Sequence, residues 1–515
     1  MESKKIGFLK RFFLACCLLS LVTPLTGRAL ELRTLQAKGT VRVPLSGADF
    51  KAFAVASPDG IGTTVFNAEI PAMRPLVKML GLSFPVDLPR DPRMSRFESV
   101  LRQREWQVLG LERFQRQRKT QAMPMASGSG PDTTPFYLDL TGLVPGKGAM
   151  VIQAKLIEQT KYANVYQEEG ISVEPGLVPE LVRRIDDLIV PRDRLLFGQE
   201  SDINGDGRFS ILLTEQFKNS GAVGFYSGTD LYRRGIFSNR FSNEQEIIYA
   251  TPVTGQVSRN LLYATIAHEY QHLINFSRRI YEIPNAVPEE VWLNEGLSYM
   301  AEDNCGLGDD SNGPPAMSFE YLQSAPDASL TGPDAGGNTD TAAQRGAAYL
   351  FLRYLFEQAG GAAGFDTTGD LVDKGGATFT RKLISSGLAG RANLEKATGR
   401  PFKELFASWV ATLMADGMLG LEEQGFRYDP PKKDAVTGQT VGIALRGDRS
   451  VNCDSCKGNM VTISFNGPAF EPDPSGSWTV QGGSARFFNP TASSSAYVDV
   501  TLRGDSGLFV VYLAP

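Results

Sequence analysis

The sequence predicts an α+β chain whose helix-rich centre is flanked by two β-rich segments. Three patterns predict it. Met150, Ile152, Ala154 and Leu156 alternate at period two, as a half-buried strand does. Phe402, Leu405, Phe406, Trp409, Val410, Leu413 and Met414 follow i, i+3, i+4, i+7 spacing behind Pro401, the mark of an amphipathic helix with proline at its start. Alternation then returns at Val461, Ile463 and Phe465, and again at Ala496, Val498, Val500 and Leu502. With 42% hydrophobic and 21% charged residues the composition is globular, and 515 residues at about 150 per domain predict roughly three domains.

Residues 1–29 read as a secretory signal peptide. Lys4, Lys5, Lys10 and Arg11 precede an apolar run at 12–25, and Gly27-Arg28-Ala29 places small residues for cleavage after Ala29. The run is too short to span about 30 Å of hydrocarbon, and no later stretch predicts a transmembrane segment. A lipoprotein anchor at Cys16 or Cys17 is the alternative, but it leaves an apolar core of only a few residues. The expected location is therefore secreted, periplasmic or cell-surface. A net charge of −5 argues against nucleic acid as a partner, since phosphate calls for a basic face.

Residues 30–170 are expected to be a β-rich N-terminal domain or pro-region, with a further short strand at 136–140. Within it, 90–119 is Arg-rich and interspersed with Glu98, Glu105 and Glu112. That mixture predicts a solvated helix or linker, with a propeptide processing region as the alternative. Residues 171–425 mix strands with strong helices, among them one at 342–358 closed by Gly360-Gly361. Between 304 and 340 the richness in Gly, Pro, Asp, Asn and Ser predicts a long loop. Residues 430–515 are expected to form a small β-sandwich. Two of the five cysteines lie in the signal; of the other three, Cys453 and Cys456 are spaced for a local bridge, which leaves Cys305 free.

Asp202, Asn204 and Asp206 set oxygens at alternate positions, with Gly207 at the sixth, as a calcium loop begins. The twelfth position is Leu213 rather than Glu, so the loop is not an EF-hand. An Asx-rich turn without metal is the alternative.

The chain has two histidines, His268 and His272, and Glu269 follows the first. Chance produces that placement on the order of once in two thousand sequences of this composition. The surrounding 261–276 lacks Gly and Pro and is apolar at helical spacing, with Ser258 or Asn260 to cap it. On a helix, residues four apart share a face about 6 Å apart along the axis, so two imidazoles can converge on one ion. Glu269, one position round, can reach a water on the metal without binding the ion. A catalytic zinc needs a third protein ligand, and no histidine remains. Glu295 is the best carboxylate, on a second helix begun by Pro288-Glu289-Glu290, and Glu302 on the same face can orient a ligand histidine.

His268-Glu269-x-x-His272 followed by Asn294-Glu295-Gly296 resembles the pattern of the gluzincin metallopeptidases. The words around both motifs, over roughly 180–360, look most like the hyicolysin family of bacterial secreted proteases. The resemblance implies a gluzincin-like catalytic domain over 171–425, with a small mixed sheet, an active-site helix and a helical lower part. It implies zinc on His268, His272 and Glu295, Glu269 as general base, and hydrolysis of protein or peptide substrates. It also implies that the strand candidates 224–228 and 246–250 belong to a sheet whose edge strand pairs with an extended substrate, two ordinary sheet strands being the alternative. Two departures stand out. Tyr299 occupies a position where thermolysin-like enzymes place an acid. No further histidine exists to hold the oxyanion, so a tyrosine must do so, and Tyr349 is the candidate. The alternatives are a zinc aminopeptidase, whose amine-binding Gly-Ala-Met-Glu-Asn element is missing, and a non-catalytic surface binding protein with a relict metal site.

Overall fold

The alternating segments become strands: those at 150–156 and 461–465 pair with their chain neighbours, while that at 496–502 pairs with strands near the start of the chain. A computed structural model describes residues 31–33, 39–45, 52–58, 62–70, 93–116 and 133–512, the last span with breaks at 219, 235–238, 255–256, 367–370, 418–425, 454–458, 491–495 and 503–506. The expected signal peptide lies outside the described residues. Among them, no helix is long and apolar enough to cross a membrane. The fold is α+β.

The 30–170 and 430–515 segments, expected from sequence to be separate units, do not keep to themselves. Strands Phe53–Ser57 and Ser484–Phe488 pair antiparallel in a five-stranded sheet, with Phe53 opposite Phe488. Strands Gly39–Pro44 and Thr63–Glu69 both pair with Tyr497–Leu502 in a four-stranded sheet. The two sheets close on a shared core that includes Val43, Phe53, Val55, Phe66, Phe488, Val498, Val500 and Val510. This two-sheet unit is built from strands of both ends of the chain. The hairpin of Arg446–Cys453 with Asn459–Asn466 stands apart from it. Cys453 is disulfide-bonded and Cys305 is free and buried. Cys456, the partner that spacing suggests for Cys453, lies outside the described residues.

Glu31–Arg33 joins the five-stranded sheet through Phe509–Tyr512, and the last three strands of the 30–170 segment belong to the central sheet. Its order is Thr134–Asp139, Ala149–Gln159, Ala163–Glu168, Phe209–Leu213, Ile247–Ala250, Gly224–Tyr226. Pairing is parallel across Ala163–Glu168, Phe209–Leu213 and Ile247–Ala250, and antiparallel elsewhere. Among the described residues Gly224–Tyr226 is thus the last strand, with one edge unpaired by strand. Alternation divides the two faces: Ile211, Leu213, Ile248 and Ala250 face the helices, while Leu212, Ile247 and Tyr249 face the other way.

Helix boundaries follow their local signals closely. Thr341 and Gln344 form a reciprocal capping box that starts Ala342–Gln358, and Pro401 starts Phe402–Ala415. Two expectations fail. The supposed loop 304–340 holds the helix Pro314–Ser324, because its two prolines sit in the first turn, where no backbone N–H is needed, and Ala316, Tyr321 and Leu322 are buried behind them. The 90–119 stretch does form a helix, Arg93–Arg116, but it is not simply solvated: Phe97, Glu98, Leu101, Glu105, Val108 and Leu109 are all buried.

The stacking of Phe53 on Phe488, 4.8 Å between centroids, gives a direct test of the two-ended sandwich. Phe53→Ala should destabilise it by about 3–5 kcal/mol in denaturant unfolding. A change below about 1 kcal/mol would mean that the N-terminal strands are not part of that core.

Candidate metal centre

The site begins with a helix that has little choice but to be buried. Ser258 caps Arg259–Phe276, its Oγ accepting the Leu261 N–H at 3.1 Å, and the helix is enclosed from Leu262 onward save for the half-buried Thr265. Four residues apart, His268 and His272 fall on one face, with their rings 4.9 Å apart between centroids. The second helix, Val291–Asn304, brings Glu295 against them. Its approach to Ala342–Gln358 is so close that a Cβ on Gly296 would stand 2.7 Å from Leu352 and 3.1 Å from Ala348. Glycine after Glu295 is therefore a packing requirement, and the packing sets where the carboxylate points.

Three donor atoms converge. His268 Nε2 lies 3.3 Å from Glu295 Oε2, and His272 Nε2 lies 3.4 Å from Glu295 Oε1. Ligand atoms about 2.0–2.1 Å from one tetrahedral ion stand about 3.3–3.4 Å apart, so the spacing fits such an ion. Glu295 Oε2 is buried with no well-aligned hydrogen bond; its near neighbours are the Arg345 guanidinium at 3.2 Å and His268 Nε2 at 3.3 Å, which leaves it a lone pair for a cation. Among the described residues, His268, His272 and Glu295 are the single group of three or more His, Cys, Asp or Glu that could hold a metal ion.

The surroundings prepare these donors. Glu302 Oε1 lies 2.7 Å from His268 Nδ1; an N–H there donates to the carboxylate and leaves Nε2 free as a lone-pair donor. Burial lowers the His272 pKa, whereas for His268 the carboxylates of Glu295 and Glu302 override burial and raise it well above the usual value, so an ion bound there would displace the Nε2 proton. Burial also works against a charged Glu295, yet Arg345 and the histidines hold its carboxyl well below the usual range. Arg345 is the functional residue that sequence reasoning missed. Its Nη1 lies 3.2 Å from Glu295 Oε2 and donates to Tyr299 Oη at 3.3 Å, and its guanidinium bonds both oxygens of Asp340 at 2.8 and 2.7 Å. An arginine on the buried stripe of the 342–358 helix, four before Tyr349, was the available signal.

Glu269 stays outside the donor set. Its Oε2 accepts the Tyr226 N–H at 2.9 Å, and burial raises its carboxyl pKa to about 8. The edge strand can reach it because Gly224 has no side chain: a Cβ there would stand 2.5 Å from Thr265 on the helix. Tyr349 is not brought to the group. Its hydroxyl donates to Asp303 Oδ2 at 3.0 Å, where Arg353 also binds at 2.8 Å. The loop oxygens of Asp202, Asn204 and Asp206 accept backbone N–H groups of their own turn, and Asn164 donates to Asp206. That is the geometry of an Asx turn, and it adds nothing to the calcium reading.

A histidine pair and a carboxylate on two packed helices form a buried group that could hold a metal ion, and a second carboxyl, that of Glu269, lies beside it. Over 155 residues, 29% of this chain, the sequence is 28% identical to the neutral metalloprotease ShpI of Staphylococcus hyicus. The matched part is 35% of that protein, so the chain spans about a third of the relative's length. No family model matches the chain. The likeness points to the metalloproteases.

Two substitutions test the support around the donors. Glu302→Gln and Arg345→Met should each weaken metal binding about 10–100-fold, read by chelator competition, with circular dichroism retained. Unchanged affinity in Arg345→Met would show that the guanidinium does not position Glu295.

Proposed function

We propose that the chain is a secreted zinc-dependent endopeptidase. The observation that carries this reading is the convergence of His268, His272 and Glu295 with Glu269 adjacent but uncommitted to the donor set. Zinc held there would supply Lewis acidity that makes water ionisable near neutrality and polarises the scissile carbonyl. Glu269 would take the proton from the attacking water and return it to the leaving amine. The Tyr226 N–H fixes the orientation of that carboxylate. Glu302 holds His268 in one tautomer, and Arg345 holds Glu295. Tyr299, whose ring lies 5.1 Å from that of His268, replaces Tyr349 as the tyrosine beside the centre.

The strand Gly224–Tyr226 lies at the sheet edge, next to Glu269, where an extended peptide can add main-chain hydrogen bonds. An extended substrate engaged at mid-chain favours internal cleavage over trimming from a free amine. Export rests on the charged and apolar pattern of residues 1–29, and the gluzincin pattern of the two motifs supports the same assignment.

The purified chain should hold about one zinc, and His268→Ala or Glu295→Ala should lose most of it. Peptides blocked at both ends should be cut internally; trimming of free N-termini alone would make it an aminopeptidase, and a metal-loaded protein that cuts nothing would make it a binding protein. Glu269→Gln should keep the metal and lose at least about 10²–10⁴-fold in kcat/KM. Near-normal turnover in that variant would overturn the assignment of the base.

A further inference from the structure

The Arg93–Arg116 helix lies where a substrate would. Phe97 packs edge-on against Phe225 of the edge strand, 5.2 Å between centroids. Two residues past that strand, the Gly228 N–H donates to Glu105 Oε1 at 2.7 Å, so a main-chain donor beside the strand is already taken by a side chain of this helix. Phe97 and Leu101 join the apolar cluster on the outer face of the sheet, while Val108 and Leu109 join the main core, so the helix passes from one cluster to the other along the strand edge. Arg104 secures it, donating to Asp139 O at 2.7 Å and to Thr141 O.

Its buried face is charged. Glu98, Arg102 and Glu105 recur at i, i+4 and i+7, and Arg102 binds Glu105 through Nη1 at 2.7 Å and Glu98 through Nη2 at 3.3 Å. This stripe faces the metal centre: the charges of Glu98 and Arg102 act on Glu269, and Arg102 also acts on Glu295 and His272. From the opposite wall Asp340, the partner of Arg345, feels Glu98. Burying three charges is costly unless they satisfy one another, and these do so within the helix. The helix can therefore leave with its own ion pairs intact, and its departure would free the Gly228 N–H for a peptide carbonyl. The fit is also incomplete, for a cavity of about 200 Å³ remains between Leu101 and Arg104 of the helix and Phe225, Ser227, Thr229 and Tyr249.

We propose that the Arg93–Arg116 helix is an internal blocking segment that occupies the peptide groove beside the metal centre and must be displaced before a substrate can bind. The proposal rests on the endopeptidase reading for its effect on turnover, but not for its effect on binding. The strands before the helix, from Gly39 to Glu69, are held by C-terminal strands and are not displaced with it.

The test uses the full chain with one site-specific protease sequence inserted between 71 and 92 and another between 117 and 132. A doubly blocked peptide is the substrate, and metal content is measured before and after cutting. Release of the helix should raise turnover at least about tenfold at unchanged metal content, as expected if the competent state is under about a tenth of the population. A synthetic 93–116 peptide should restore inhibition, and the same peptide with Glu105→Ala and Arg102→Ala should be a weaker inhibitor. Equal turnover before and after release overturns the proposal. If both forms hold metal and neither cuts peptide, the endopeptidase reading fails, and fluorescence anisotropy of a labelled 93–116 peptide still decides the matter: saturable binding to the cut chain alone supports the proposal, and no binding to the cut chain overturns it.

Discussion

A buried carboxylate that must remain charged governs the centre of this protein. Glu295 sits among two imidazoles and a guanidinium, out of reach of water, and only that company makes its charge tolerable. The requirement spreads outward through packing. Glycine at 296 lets Val291–Asn304 approach Ala342–Gln358, and the latter helix delivers Arg345. Arg345 in turn needs Asp340, and His268 needs Glu302. Each group is satisfied by the next, so the arrangement persists as a network with a gap shaped for a cation.

The sheet edge beside this network poses the opposite problem. A strand with unpaired N–H and C=O groups invites any extended chain to pair with it. On the proposed reading the invitation serves the substrate, and the edge is covered in the resting protein. A helix covers it more selectively than another strand, because its side chains can borrow single donors, as Glu105 borrows Gly228, without extending the ladder.

Features that depend on near neighbours in the chain are legible in the sequence. The histidine pair, Glu269, Glu295, the Ser258 cap and the 342–358 helix all follow from spacings of a few residues. What sequence obscures is long-range. Arg345 looks like any helix arginine until its burial against Glu295 is seen. Glu98 and Glu105 look solvated because their partner, Arg102, lies within the same polar helix and the core that buries them is more than a hundred residues away. Tyr349 is a tyrosine on the right helix, but Asp303 and Arg353 claim its hydroxyl. The sandwich strands alternate correctly at both ends of the chain, and alternation does not name a partner.

That two-ended sandwich has a bearing on how the chain is made. Thr40 meets Thr501 across 461 residues, and at 5–20 residues per second a ribosome takes on the order of 20–90 s to separate their synthesis. Closing so long a loop adds only a modest entropic cost, but contacts of this separation form slowly. Phe53, Val55 and Phe66 therefore spend that interval without the strands that bury them, during which a chaperone or an unfolded export route must keep them from other chains. A translation stop near residue 470 would not yield a shortened protein with an intact metal site and one missing ornament. It would yield an open half-sandwich, with the first-made apolar strands exposed beside a finished helical core.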